Sequence, residues 1–105
     1  MKPGLYAQME ERAKGKCECC GTPLELFGAE ADHFWGRAKA KESLETVWLL
    51  SRDCHWQKTQ NVMGRAYWLE AFLKHARRHG YTEQATKAGS ALFYAKAKAS
   101  LGEGA

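Results

Sequence analysis

The chain contains no apolar stretch long enough to span a bilayer, which excludes a membrane-crossing helix as its organising element. It opens Met1-Lys2-Pro3-Gly4 with no apolar run behind it, so no secretory leader is expected. It shows no internal repeat and no domain-scale linker, and a single short domain over residues 1–105 is the simplest organisation. Only one asparagine, Asn61, is present. With no secretory context, the expected compartment is a reducing cytoplasm. There, cysteines are more often metal ligands or free thiols than disulfides. Aromatics are not scarce: four Trp, four Tyr and four Phe argue for a packed core rather than disorder. A domain this small buries a modest fraction of its surface, so a metal staple is in keeping with its size.

The formal net charge of +4 says little alone. Its distribution says more. Between residues 36 and 79 there are nine basic side chains against four acidic ones, the pattern a polyanion binder needs. For any single lysine, a solvated helical surface is the plainer explanation.

Leu5, Tyr6, Met9 and Ala13 recur at helical spacing and predict an N-terminal helix ending at Gly15. Residues 17–23 read as a tight turn. Leu24 to Phe27 and Ala29 to Phe34 read as two short strands around Gly28. Residues 36–45 are polar and lysine-rich, a loop with at most a helical turn. Val47-Trp48-Leu49-Leu50 is a short apolar strand. Asp53 can cap a helix running to about Gln60, broken at Asn61 or Gly64. Ala66, Leu69, Leu73 and Ala76, widened by Trp68 and Phe72, give a second helical stripe stopped by Gly80. Thr82 can cap a final helix rich in alanine and lysine, fading near Gly102. His75 and His79 lie one turn apart among Lys74, Arg77 and Arg78, and read as a solvated basic face rather than a metal site.

Two motifs carry chemistry. Asp32-His33 supplies a carboxylate for a cation and an imidazole that can take a proton from water. Cys54-His55-Trp56-Gln57-Lys58-Thr59 adds a second imidazole and, one helical turn later, a lysine able to meet phosphate. Alternation sends Asp32 and His33 to opposite faces of a regular strand. The strand must therefore bend or end there if both serve one reaction, and Gly36 permits this nearby. Upstream lies a paired-cysteine turn, Cys17-Glu18-Cys19-Cys20-Gly21. In that order the three parts resemble the HNH endonuclease family, the ββα-metal nucleases, over residues 17–59, under half of the chain.

The resemblance implies an α+β, mostly helical fold. A ββα-metal motif with a zinc-ribbon-like cysteine turn would occupy about residues 17–60, with an N-terminal helix before it and C-terminal helices over about 62–101. It implies a metal-dependent endonuclease hydrolysing DNA phosphodiester bonds. Asp32 and His55 would hold a divalent cation (Mg²⁺ or Mn²⁺, with Ni²⁺ or Zn²⁺ as alternatives), and His33 would be the general base. Lys58, Arg37 and Arg52 are the candidate nucleic-acid contacts, duplex DNA being the expected partner. The family places an asparagine where this chain has Thr46, whose hydroxyl can keep part of a loop-orienting role. The family's zinc-stapled branch uses two Cys-x-x-Cys turns. Cys17 and Cys20 fit the first. In the second, Ser51 stands where a cysteine is expected, leaving Cys54 alone. Three outcomes stay open: zinc on Cys17, Cys20 and Cys54 with water or another group as fourth ligand; Cys19 joining by distortion; or no zinc, with the thiols as buried hydrophobes. Small stand-alone relatives of this kind occur in phages and mobile elements. That implies the host cytoplasm, no membrane, and either a homodimer or a partner protein of the same element. Two rival readings are a degenerate nucleic-acid-binding module that kept the fold, motivated by Thr46 and Ser51, and a zinc-ribbon adaptor for proteins.

Overall fold

A computed structural model describes residues 2–37 and 40–103. It is a small α+β fold of helices and one two-stranded antiparallel sheet. The elements run α1 (Leu5–Ala13), α2 (Leu24–Phe27), β1 (Ala29–His33), β2 (Val47–Ser51), α3 (Arg52–Thr59), α4 (Arg65–Arg78) and α5 (Thr82–Glu103). The chain divides into two compact units, residues 1–60 and 61–105. No described helix is long and apolar enough to cross a membrane.

In the first unit, β2 is the organising strand. All five of its residues are buried, and α1 and α3 both pack against it. A continuous Val-Trp-Leu-Leu run suits a strand covered on both faces better than an alternating one would. β1 pairs with it in antiparallel register, Ala29 opposite Ser51 and His33 opposite Val47. Helix α1 turns Leu5, Met9 and Ala13 inward at the expected spacing.

Two local expectations fail here. Leu24–Phe27 is a helical turn, not the first strand of a hairpin with β1. Pro23, with φ −59°, starts the turn, and Gly28 ends it at φ 74°, ψ 161°, a conformation open chiefly to glycine. The partner of β1 is therefore β2, across the polar loop. The helix cap is also displaced. Ser51, not Asp53, caps α3: its backbone is extended and its Oγ accepts a hydrogen bond from the Cys54 N–H at 3.2 Å. Strand β2 thus runs into α3 with no intervening residue.

In the second unit α4 packs on α5. Helix α4 buries Trp68, Leu69, Phe72, Leu73 and Ala76, and α5 buries Ala88 and Leu92 four residues apart. The expected solvated face over His75 and His79 is corrected at His75, which is fully buried. His75 lies three residues beyond Phe72 and seven beyond Trp68, so helical geometry carries it onto the apolar stripe despite its charged sequence neighbours.

Candidate functional site

Strand alternation sets the first layer of the site. Glu30 and Asp32 lie two apart on β1 and share one face of the strand, while His33 falls on the other. Across the ladder Asp32 stands opposite Trp48. The Trp48 indole N–H donates to Asp32 Oδ2 at 2.8 Å, fixing a carboxylate that is almost wholly buried. Because α3 begins directly after β2, its first turns lie over β1. His55 and Lys58, three residues apart, reach the same carboxylate. His55 Nε2 stands 3.5 Å from Asp32 Oδ1, and Lys58 Nζ lies 3.0 Å from Asp32 Oδ2. The Lys58 ammonium also donates to the Phe34 carbonyl at 3.2 Å. Glu30 accepts a short hydrogen bond from His55 Nδ1, and its other oxygen lies 3.6 Å from Arg52 Nε. The result is a row in which basic and acidic side chains alternate: Arg52, Glu30, His55, Asp32, Lys58.

This row fixes the imidazole. With Nδ1–H donated to Glu30, the lone pair of His55 is on Nε2 and points to the Asp32 side, the arrangement in which a carboxylate orients a metal-ligating histidine. Two ligands about 2.1 Å from a small divalent cation and at right angles to it lie about 3 Å apart, so the Asp32–His55 edge is close to the span such an ion requires. Asp32, His55 and Lys58 are therefore brought together.

His33 is held separately. Strand β1 ends at His33, and Gly36, at φ 94°, returns its N–H to the His33 carbonyl at 2.9 Å. His33 Nε2 bonds Glu42 Oε2 at 2.5 Å. That hydrogen bond, seconded by the Lys2 backbone N–H at 2.8 Å, holds the Glu42 carboxyl below its ordinary value, so it is ionised at neutral pH. A carboxylate on Nε2 keeps the proton there and leaves Nδ1 as the basic nitrogen. Thr46 is buried and fastens the same loop. Its hydroxyl accepts from the Ser43 N–H at 3.0 Å and lies 2.9 Å from the Lys41 carbonyl, while its own carbonyl accepts from the Phe34 N–H at 3.1 Å. Arg37 is exposed, with no ion pair among the described residues.

The cysteines form a second cluster. The Sγ atoms of Cys17, Cys20 and Cys54 lie within 4.8 Å of one another, close enough to hold a metal ion. The turn is closed by Cys17 N–H to the Thr22 carbonyl at 2.8 Å and by Gly21 N–H to the Cys17 carbonyl at 2.9 Å. All four cysteines are free thiols. Burial pushes the Cys54 thiol well up and the Cys19 thiol up to about 11. Cys20 is also raised by partial burial, but hydrogen bonding to Thr22, whose hydroxyl lies 3.0 Å from its sulfur, outweighs that and leaves it below the ordinary value. Ser51 contributes no ligand, because its hydroxyl is occupied at the start of α3.

Sequence reasoning passed over Glu30, Glu42 and Trp48. Glu30 had a readable signal, since Glu-x-Asp on a strand places two carboxylates on one face. Trp48 and Glu42 had none, because their roles depend on ladder register and loop path. No family model, curated protein or solved structure matches the chain.

Proposed function

We propose that residues 17–60 act as an HNH-type, metal-dependent endonuclease that hydrolyses DNA phosphodiester bonds. The observation that supports this reading most is the β1–β2–α3 order. It sets a carboxylate and an oriented imidazole 3.5 Å apart, with a lysine on the second carboxylate oxygen and a second imidazole at the strand end. Asp32 and His55 would hold the cation, Mg²⁺ or Mn²⁺ by preference. The bound ion supplies stabilisation of the charge that develops on the phosphate and the leaving oxygen. His33 Nδ1 takes a proton from the attacking water as its oxygen bonds phosphorus and the P–O3′ bond breaks. The 3′ oxygen departs and is protonated from solvent. Glu42 holds the His33 ring in the required tautomer, and Thr46 keeps the loop that carries Glu42. Lys58, released from Asp32, meets the phosphate as a point charge, and Arg52 and Arg37 are the outer contacts.

The test is cleavage of supercoiled plasmid by the full chain with Mg²⁺, Mn²⁺, Ni²⁺, Zn²⁺ or chelator, beside Asp32→Asn. We expect nicking with at least one ion, none with chelator, and a loss of two orders of magnitude or more in the variant. Intact plasmid with every ion, from a folded protein that still retards DNA on a gel, would favour the non-catalytic binding module.

The cysteine cluster is proposed as a structural zinc site on Cys17, Cys20 and Cys54, with its fourth position taken by water or another group. In metal-free protein, Cys20 is expected to alkylate first, being the most exposed and held below its ordinary value, with Cys19 slower and Cys54 slower still. Stoichiometric zinc is expected to protect Cys17, Cys20 and Cys54 and leave Cys19 reactive, read by mass spectrometry of the labelled peptides. Unchanged labelling of Cys20 with zinc present would rule the site out.

A further inference from the structure

Helix α3 carries a residue that the proposed chemistry does not use. Trp56 is 59% exposed, and its indole makes no hydrogen bond or ring contact among the described residues. Among the described residues of the first unit, only Tyr6 and Trp56 are large exposed hydrophobics, and Tyr6 is exposed to 38%. Trp56 directly follows His55. It lies four residues after Arg52, whose side chain is 77% exposed, so the two share one face of the helix. An exposed indole on the same helix face as an exposed guanidinium offers a planar apolar surface beside a cation, the pairing that receives a base and its neighbouring phosphate.

The chemistry of the patch selects its occupant. A protein partner needs roughly 800 Å² per side with a contiguous apolar centre, which one aromatic flanked by a cation does not offer. Sites for single-stranded nucleic acid are built differently, from isolated aromatic platforms set between cations that follow the backbone. An intact duplex presents only base edges in its grooves, its base faces being covered by neighbouring pairs. A ring waiting to stack therefore requires a base that is not stacked in a duplex.

Resting on the nuclease reading above, we propose that Trp56 is a stacking platform for an unpaired base beside the scissile phosphate. The preferred substrate is then a strand with single-stranded character, such as a flap, bulge or junction arm, rather than uninterrupted duplex. Arg52 meets the phosphate next to that base. His55, a candidate metal ligand, directly precedes Trp56 in α3, so the stacked base would lie on the helix that also carries the candidate cation site.

The test is fluorescence anisotropy of the full chain with a labelled single-stranded oligodeoxynucleotide, the same strand in a perfect duplex, and that duplex with a bulge, all in chelator to prevent cleavage. Trp56→Ala is expected to weaken single-strand and bulge binding about tenfold or more and to leave duplex affinity unchanged. Trp56→Phe should recover most of the loss, which separates stacking from a folding defect. Equal losses on all three ligands, or none, overturn the proposal. So does an effect confined to self-association, which would assign the patch to a protein partner. Wild type that binds perfect duplex as tightly as the single strand and the bulge, and cuts it without preference in a parallel reaction with Mg²⁺ or Mn²⁺ in place of chelator, would leave the nuclease reading standing and this inference refuted. Wild type that binds none of the three in chelator and cuts none with metal restored would remove both.

Discussion

Replacing Arg12 by alanine is expected to destabilise the first unit by about 3–5 kcal/mol, the range for removing one partner of a buried ion pair. Arg12 is nearly inaccessible, at 7% side-chain exposure, and Glu18 more so at 3%. The guanidinium grips the carboxylate with two bonds of 2.7 Å, from Nε and from Nη2. It also donates to the Leu44 carbonyl at 2.5 Å and the Val47 carbonyl at 2.9 Å. Glu18 in turn accepts from the Leu49 N–H at 2.9 Å, while its own N–H donates to the Leu49 carbonyl at 2.8 Å. One pair thus joins α1, the cysteine turn, the interstrand loop and β2. Removing the guanidinium takes the opposing charge from a buried carboxylate and its donors from two carbonyls. Urea unfolding should show the midpoint falling sharply, and the thermal midpoint should drop by about 10 °C or more. Arg12→Met combined with Glu18→Leu should cost far less than either alanine single, because no charge is left unpaired. A single-variant loss below about 1 kcal/mol would show that the pair is solvent-relaxed and not part of the framework.

Replacing His33 by alanine is expected to slow phosphodiester cleavage by about 10²–10⁴-fold, the usual worth of a positioned general base. The protein should remain folded, since His33 sits at the end of β1 and, among the described residues, its ring bonds only a loop carboxylate. Glu42→Gln should slow the reaction less than His33→Ala. The amide can still accept the Nε2–H and hold the tautomer, but it lacks the charge that stabilises the protonated ring. Acidity supplies a separate check. Glu42 is held below its ordinary 4.5, chiefly by His33 and then by the Lys2 N–H. A depressed carboxyl contributes above its unfolded value and loses that contribution as pH falls through the folded one. The His33–Glu42 contact should therefore persist on acidification through 4.5 and break only below it, which a side-chain carboxyl titration by NMR would follow. Plasmid nicking by His33→Ala at the wild-type rate would assign the base to another group.

Much of this framework was legible in the residues. The spacing of Leu5, Met9 and Ala13 and the stripe from Trp68 to Ala76 each specify a helix by period, and the Val47–Leu50 run reads as a buried strand by its shortness and apolar composition. Alternation set Asp32 and His33 on opposite faces unless the strand bent or ended there; β1 ends at His33, with both residues still in register against β2. What was hidden depended on competition or on register. Leu24 to Phe27 has no period long enough to separate one helical turn from a short strand, and Pro23 decided it. Ser51 and Asp53 are both good caps, and the one chosen is set by where β2 stops. His75 looks solvated beside its neighbours in sequence but not beside Phe72 and Trp68 on the helix. Arg12 and Glu18 lie only six residues apart, yet their pairing required the cysteine turn to fold back on β2. Glu42 sits in a loop whose path no local rule fixes.

The hydroxyl that starts α3 bears on the order of assembly. A thiol at position 51 would complete a four-sulfur set, and the first turn of α3 would then wait on metal supply. With serine there, the helix is nucleated by the chain itself through the Cys54 N–H. His55 and Lys58 can then be presented to Asp32 during folding, before any ion arrives at the cysteines. Any ion held by the cysteine cluster would then consolidate a fold already formed, and the β1–β2–α3 frame would not depend on it.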